Sequence, residues 1–291
     1  MAILATVTFW GLSFIASKAL LALLSPLQIM VIRFAIAAIF MLVVTGKNLP
    51  LPQWEDGLQI LLASLLAIPI YFFLENTGLQ YTTASNASIL IATIPVLNLL
   101  FGALVAKERI HPGQWVGVSL SLLGVYVLIR GDLSLAPATM RGNLMVLGAA
   151  LSWVLYTQRA APLLKKYGSV ALNTYQLVLG SLSLVPLFLF EGRGWPPGET
   201  WIWLNLLYLG VLCSAVAYFC YLFALEHLGP ATTTTFINLV PVVSVLGGVF
   251  ILGEGLTPSR LLGGSIVVAG VVLVSLMGQP MERGVEGNNP L

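Results

Sequence analysis

Residues 95–124 read PVLNLLFGALVAKERIHPGQWVGVSLSLLG, and residues 241–270 read PVVSVLGGVFILGEGLTPSRLLGGSIVVAG. An offset of 146 aligns them without a gap, placing Pro95 on Pro241, Val96 on Val242, Leu100 on Leu246, Gly102 on Gly248 and Glu108 on Glu254. The same step carries Pro112 to Pro258, Gly117 to Gly263, Ser119 to Ser265 and Gly124 to Gly270. Nine identities without a gap, most at prolines and glycines, mark a duplicated unit whose copies extend over residues 78–128 and 224–274.

The duplicated unit is built for lipid. The chain is 58% hydrophobic and 8% charged, with a mean hydropathy of +0.96, whereas about a quarter of a soluble domain is charged. A transmembrane helix takes about 20 mostly apolar residues. Proline, glycine and charge divide this chain into ten such stretches: 2–24, 27–45, 57–79, 82–106, 112–130, 142–164, 169–190, 200–226, 230–252 and 258–278. The first is too long for a signal peptide, contains Lys18, and runs into a Ser25-Pro26 turn in place of a cleavage site.

The expected fold is therefore an all-α polytopic membrane protein. Residues 1–130 form a first five-helix repeat, 131–141 a loop, 142–278 a second repeat, and 279–291 a disordered tail rich in Gly, Asn, Pro and charge. An odd number of crossings makes the second copy enter from the opposite side, so the repeats are inverted about an axis in the membrane plane. That architecture recurs in secondary transporters, whose substrate site lies between the halves.

Lys and Arg in short loops set the orientation. With the N-terminus cytoplasmic, that side receives Lys47, Lys107, Arg109, Arg159, Lys165, Lys166 and Arg283, against Arg130, Arg141, Arg193 and Arg260 on the other. Both termini are expected inside. Arg33, six residues into its span, is expected to snorkel to headgroups.

Several residues depart from a lipid-like pattern. Pro95 and Pro241 fall near the middle of the fourth and ninth stretches and predict paired kinks, hence hinges; a static kink is the plainer reading. Those stretches begin with Thr82, Thr83, Ser85, Asn86 and Ser88, and with Thr232 to Thr235. Helix N-termini there suit a carboxylate, although capping alone explains small polar residues. Glu108 and Glu254, each ahead of a helix-starting proline, are read as structural.

A cavity lining is predicted from rings and polar groups at helical spacing. Trp10, Phe14 and Lys18 share a face of the first stretch with Ser13 and Ser17 beside them, and Trp153, Tyr156 and Thr157 share one of the sixth. Tyr71 and Glu75 lie together in the third and Tyr218 and Tyr221 in the eighth, while Asn98 and Asn238 sit one turn from the prolines. Bare aromatic stripes more often serve packing or interface belts, so the set carries the inference. An intramembrane cation is costly and usually functional, which makes Lys18 a candidate for substrate contact; lying beyond the middle of its helix, it is also near enough to the external surface to snorkel.

Other chemistries find no support. No phosphate-binding G-x-x-x-x-G-K-[ST] loop occurs, and His111 and His227 stand apart from cysteines and carboxylates, so no metal or cofactor is implied. Every Asp and Glu is expected in a loop or near a helix end, which argues against a membrane-embedded enzyme and a carboxylate proton relay alike. Cys213 and Cys220, seven residues apart, lie about 10 Å apart along a helix at 1.5 Å per residue and are expected as free thiols. A net charge of +2 without a basic run gives no support for a nucleic-acid partner, and none is expected; the oligomeric state is left open.

Trp10-Gly11-Leu12-Ser13-Phe14 followed by Lys18, with the twice-occurring order of proline, apolar stretch, Glu, proline and glycine-spaced last helix, resembles the drug/metabolite transporter superfamily, specifically its ten-helix EamA-type members. The likeness covers about residues 1–278; Ser13 stands where an asparagine is often found, and Trp153 lacks the following glycine. The resemblance implies an inner-membrane metabolite exporter with alternating access around a central cavity and peripheral fifth and tenth helices. The aromatic lining is similar to that of YddG-type amino-acid exporters, which implies an amino acid or related small metabolite as substrate. A drug or nucleotide-sugar carrier is the alternative within the class; a membrane-embedded enzyme or a lipid scramblase is the alternative outside it.

Overall fold

Helix starts are encoded locally. Ser25 and Gln28 form a capping box, the Ser25 hydroxyl accepting from the Gln28 amide at 3.0 Å and the Gln28 side chain accepting from the Ser25 amide at 2.8 Å, with Pro26 in the first turn. Pro112 and Pro258 open equivalent helices in the two repeats, and at the first the Gln114 side chain accepts from the His111 amide at 3.2 Å.

The computed structural model describes residues 1–81, 90–105, 107, 110–129, 140–191, 196, 198–252 and 257–277, without the side chains of 14, 18, 128, 129, 248, 251, 252, 260 and 275. The described residues are helical with short turns and contain no strand. Helix α1 is Ala2–Leu21, α2 Pro26–Thr45, α3 Trp54–Tyr81, α4 Ile94–Leu104 and α5 Pro112–Ile129. Continuous helical hydrogen bonding over Met140–Glu191 is broken at Gly168 (φ 74°), which separates α6 (140–167) from α7 (169–191). Gly229 (φ 75°) likewise separates α8 (200–228) from α9 (230–252), and α10 is Pro258–Met277. Both glycines adopt a backbone conformation that side chains disfavour, so the chain reverses there with almost no loop.

Among the described residues, five helical stretches are long and apolar enough to cross a membrane: Ala2–Leu21, Pro26–Asn48, Trp54–Tyr81, Met140–Glu191 and Thr200–Gly247. Large apolar side chains such as Ile39, Val43, Leu104, Leu189 and Phe250 stand exposed around the outside. In water each would lose the roughly 25 cal/mol per Å² that burial supplies; against acyl chains no such loss arises. The chain is a multi-pass membrane protein.

The two halves interlock. α3 meets α6 at Gly78 and α7 at Gly180, where a Cβ would stand 2.7 Å from Val146 and 2.5 Å from Ile68. α8 meets α1 through the Thr6 hydroxyl, which donates to the Ala217 carbonyl at 3.0 Å, and α2 at Gly210. α5 and α10 pack chiefly on each other. Their closest approaches pair Gly117 with Gly270 and Gly124 with Gly263, a Cβ on Gly117 or Gly124 lying 2.9 Å from the partner's carbonyl oxygen. Because Gly263 and Gly270 are the counterparts of Gly117 and Gly124, the contact is antiparallel and self-complementary, as a twofold axis between inverted repeats requires.

Both repeats also carry a π-helical segment at matching positions, Leu66–Ile70 in α3 and Tyr208–Val216 in α8. Pro69 lies inside the first. Such segments redirect carbonyls and recur at functional sites.

Candidate functional site

A cavity lies where both halves converge. Its deep wall is aromatic: Trp10 of α1, Tyr71 and Phe72 of α3, Trp153 of α6 and Tyr218 of α8. Ile91 and Ile94 close one side, and their counterparts 146 residues on, Ile237 and Val240, also line it. The water-reachable space is about 70 Å³, on the order of five waters at roughly 10–15 Å³ each. Ser13, Ser17, Asn76 and Leu79 carry the wall toward the face bearing the α1–α2 turn, where a depression formed by Leu21, Ser25, Pro26 and Gln80 shares Leu79.

Below that opening the rings interlock into a floor. Trp10 meets Trp153 edge-on at 5.3 Å between centroids, and Trp153 contacts Tyr71 at 5.0 Å and Tyr221 at 5.2 Å. Edge-to-face pairs at such distances add about 0.5–1.5 kcal/mol beyond area burial. The Trp153 indole donates to the Tyr221 hydroxyl at 3.0 Å, which also bonds Thr157 at 2.9 Å. A tryptophan from each repeat thus meets the other in this layer.

The cavity is also lined by two ionisable side chains, Arg33 and Glu75. Arg33 is 5% exposed; its Nε donates to the Ser214 hydroxyl at 2.9 Å, and its guanidinium lies 4.8 Å from the Phe72 centroid. The expectation that Arg33 snorkels to headgroups is therefore overturned: it lies on the buried stripe of α2 with Met30, Phe34, Ala37 and Met41 and faces α8. Glu75, 8% exposed and six residues before the end of α3, accepts from the Tyr71 hydroxyl at 3.0 Å. This corrects the expectation that every carboxylate lies in a loop or near a helix end. Arg33 could have been suspected from its i, i+4 and i+8 alignment with Ala37 and Met41; Glu75 was legible only as a neighbour of Tyr71.

The other residues singled out by sequence fall in three places. Trp10, Tyr71, Trp153 and Tyr218 line the cavity. Tyr156, Tyr221, Asn98 and Asn238 are buried outside its wall: Tyr156 donates to Gln176 at 3.2 Å, Asn98 accepts from Gln158 at 2.8 Å, and Asn238 donates to Ser121 of α5 at 2.7 Å. Ser88, Thr82, Thr83, Ser85, Asn86, Glu108 and Glu254, and the side chains of Phe14 and Lys18, lie outside the described residues. Thr232 to Thr235 are buried away from the cavity, and Thr234 and Thr235 donate to the carbonyls of Pro230 and Ala231 at 2.7 Å. Pro95 and Pro241 sit in the first turn of resumed helix, after a turn at 92–93 and after the 3-10 turn Ile237–Leu239. Cys213 and Cys220 are free thiols, and no metal-ligand cluster occurs among the described residues.

On the opposite face polar contacts bridge the two repeats, a feature the sequence did not signal. Lys166, at the end of α6, pairs with Asp56 at 2.5 Å and donates to the Gln53 side chain at 2.5 Å. The Tyr167 hydroxyl donates to Asp56 at 2.5 Å and accepts from the Gln53 amide at 2.9 Å, and Tyr175 of α7 donates to the Pro50 carbonyl. The α2–α3 loop and the first turn of α3 in one repeat are thereby bound to the α6–α7 turn of the other.

Sequence comparison gives this architecture its family. The profile of the EamA-like transporter family matches twice, over residues 1–130 and 140–276. The chain belongs to the EamA-like transporter family. An uncharacterized transporter of Archaeoglobus fulgidus is 30% identical over 271 residues, covering 92% of this chain and 95% of the relative. A probable terminal-alkyne amino-acid exporter of Streptantibioticus cattleyicolor is 27% identical over 289 residues, covering 98% and 97%. A solved crystal structure superimposes with a TM-score of 0.81 at 20% identity over 97% of each chain, and so shares the fold of this transporter.

Proposed function

We propose that this transporter is a secondary carrier that exports amino acids across the inner membrane by alternating access. The observation that carries the reading is the cavity itself, walled by equivalent residues of both repeats, reaching one face and floored by the Trp10–Trp153 layer above a tied opposite face. Rings suit an apolar side chain, and Arg33 and Glu75 supply charge where a polar solute would otherwise meet only hydrocarbon. The relative whose name describes an amino-acid exporter, aligned over nearly the full chain, favours the same substrate class.

The repeats on this reading are residues 1–130 and 142–278, α1 to α10 are ten crossings, and the Lys and Arg bias puts both termini and the Asp56–Lys166 face in the cytoplasm. Pro95 and Pro241 serve as hinges for the segments bearing Ile91 and Ile237. No cofactor enters the mechanism. Movement follows the solute's own gradient or is loosely coupled to that of another solute, either of which needs only two states of differing affinity.

Counterflow in liposomes loaded with a panel of amino acids tests the reading. Exchange of at least one, with at least ten-fold slower exchange by Trp10→Ala and Trp153→Ala, is expected. Absence of exchange for every amino acid overturns the substrate class, and accumulation driven by an imposed pH gradient overturns the uncoupled mechanism.

A further inference from the structure

Arg33 and Glu75 share one cavity, yet no ion pair within 4.0 Å joins them; among the described residues that distance is met by Lys166 and Asp56. Each is held by a neutral group, Arg33 through Nε by Ser214 and Glu75 through one carboxylate oxygen by Tyr71, and both residues line the cavity. A buried guanidinium and a buried carboxyl on separate walls of one cavity are best satisfied together by a dipolar solute lying between them. A solute carrying an anion and a cation on adjacent atoms meets both at once; one with a single charge leaves the other wall uncompensated.

We infer that Arg33 and Glu75 form an α-amino-acid subsite, Arg33 binding the carboxylate and Glu75 the ammonium, with the side chain directed at Trp10 and Trp153. This deepens the amino-acid export reading and rests on it. Arg33 is suited to the task because its planar fork matches a carboxylate with two parallel hydrogen bonds. Its Nε is already committed to Ser214, which leaves the two terminal nitrogens for that pairing. Selectivity against amines and simple carboxylic acids is then a property of these two walls, while the rings choose among side chains.

The test is binding to the purified full chain in detergent, read by the fluorescence of the cavity tryptophans and checked by calorimetry. The twenty amino acids are screened first. L-leucine is then compared with 3-methylbutylamine, which lacks the carboxylate, and 4-methylpentanoate, which lacks the ammonium. Wild type is expected to bind L-leucine at least ten-fold tighter than either analogue. Glu75→Gln is expected to bring L-leucine down to the level of 4-methylpentanoate, Arg33→Gln down to that of 3-methylbutylamine, and Arg33→Lys is expected to restore part of the carboxylate preference. Wild type that binds either analogue as tightly as L-leucine overturns the subsite with no variant needed. Folded variants that keep the wild-type preference overturn it as well. Wild type that binds none of the twenty amino acids removes the export reading itself, and the subsite with it.

Discussion

Ala67 and Cys213 stand 146 positions apart, and the carbonyl of each takes a hydrogen bond from an aromatic side chain of the other repeat. Tyr218 donates to Ala67 at 3.1 Å and Trp10 donates to Cys213 at 2.9 Å. Both carbonyls lie in the π segments, and both donors line the cavity. The repeats are thus tied at mid-depth by reciprocal bonds whose donors belong to the wall that meets solute.

Removing one donor while keeping its ring isolates that tie. Tyr218→Phe is expected to lower stability by about 1 kcal/mol, the usual net worth of a buried hydrogen bond, measured as thermal or denaturant unfolding in detergent. Trp10→Phe is expected to cost more because ring contact is lost as well. Tyr126→Phe, at a half-exposed position on α5, serves as the control and should change stability by less than about 0.5 kcal/mol. Equal effects for Tyr218→Phe and Tyr126→Phe would leave the tie without energetic weight.

The α5–α10 contact leaves no room for a methyl group. At Gly270 a Cβ would lie 2.5 Å from the Ser121 amide nitrogen and 2.6 Å from the Gly117 carbonyl oxygen, both backbone atoms that cannot swing aside. Gly270→Ala is expected to destabilise by about 1–3 kcal/mol, the typical overpacking cost. At Gly57 no heavy atom lies within 4 Å of the same methyl, and Gly57→Ala should be neutral or slightly stabilising. Unfolding of the two variants side by side checks the difference, and Gly270→Ala as stable as wild type contradicts the close approach.

The Asp56, Lys166 and Tyr167 cluster bridges the repeats on one face, and if it holds that face closed, weakening it should shift the resting population toward opening there. In a Cys213→Ser, Cys220→Ser background, Ser169→Cys places a thiol at a buried position beside the α6–α7 turn. Adding Lys166→Ala or Asp56→Asn is expected to raise the rate of its reaction with a membrane-impermeant maleimide several-fold. Unchanged labelling would mean that the cluster holds the loops without governing access.

The sequence was most legible where one residue type has one use. Paired prolines located the starts of α5 and α10, while the repeated glycines on those helices mark the duplication without marking the faces on which they pack. Aromatic residues at helical spacing located Trp10, Tyr71, Trp153 and Tyr218, all on the cavity wall. The same criterion also selected Tyr156 and Tyr221, because a period of 3.6 fixes a face without saying whether that face meets a cavity or another ring. Arg33 was misread because its nearness to a helix end admits snorkelling, and only the packing of α2 on α8 decides against it. The π segments were invisible, since local sequence does not distinguish them from α-helix; Pro69 was the one local hint.

Pro95 and Pro241 lack the amide that would bond the carbonyl four residues earlier, which belongs to Ile91 and Ile237, both on the cavity wall. Each proline follows an interruption of the helix at the same place in its repeat, and at the first the Thr93 hydroxyl donates to the Leu90 carbonyl at 2.5 Å. Pro95→Ala and Pro241→Ala restore a donor and allow the α-helix to continue through the break. If the breaks serve as hinges, each change should slow amino-acid counterflow several-fold while leaving the unfolding temperature unchanged or higher. Slowed exchange with lowered stability would instead mark the prolines as structural, and counterflow at the wild-type rate in both variants would remove the hinge from the mechanism.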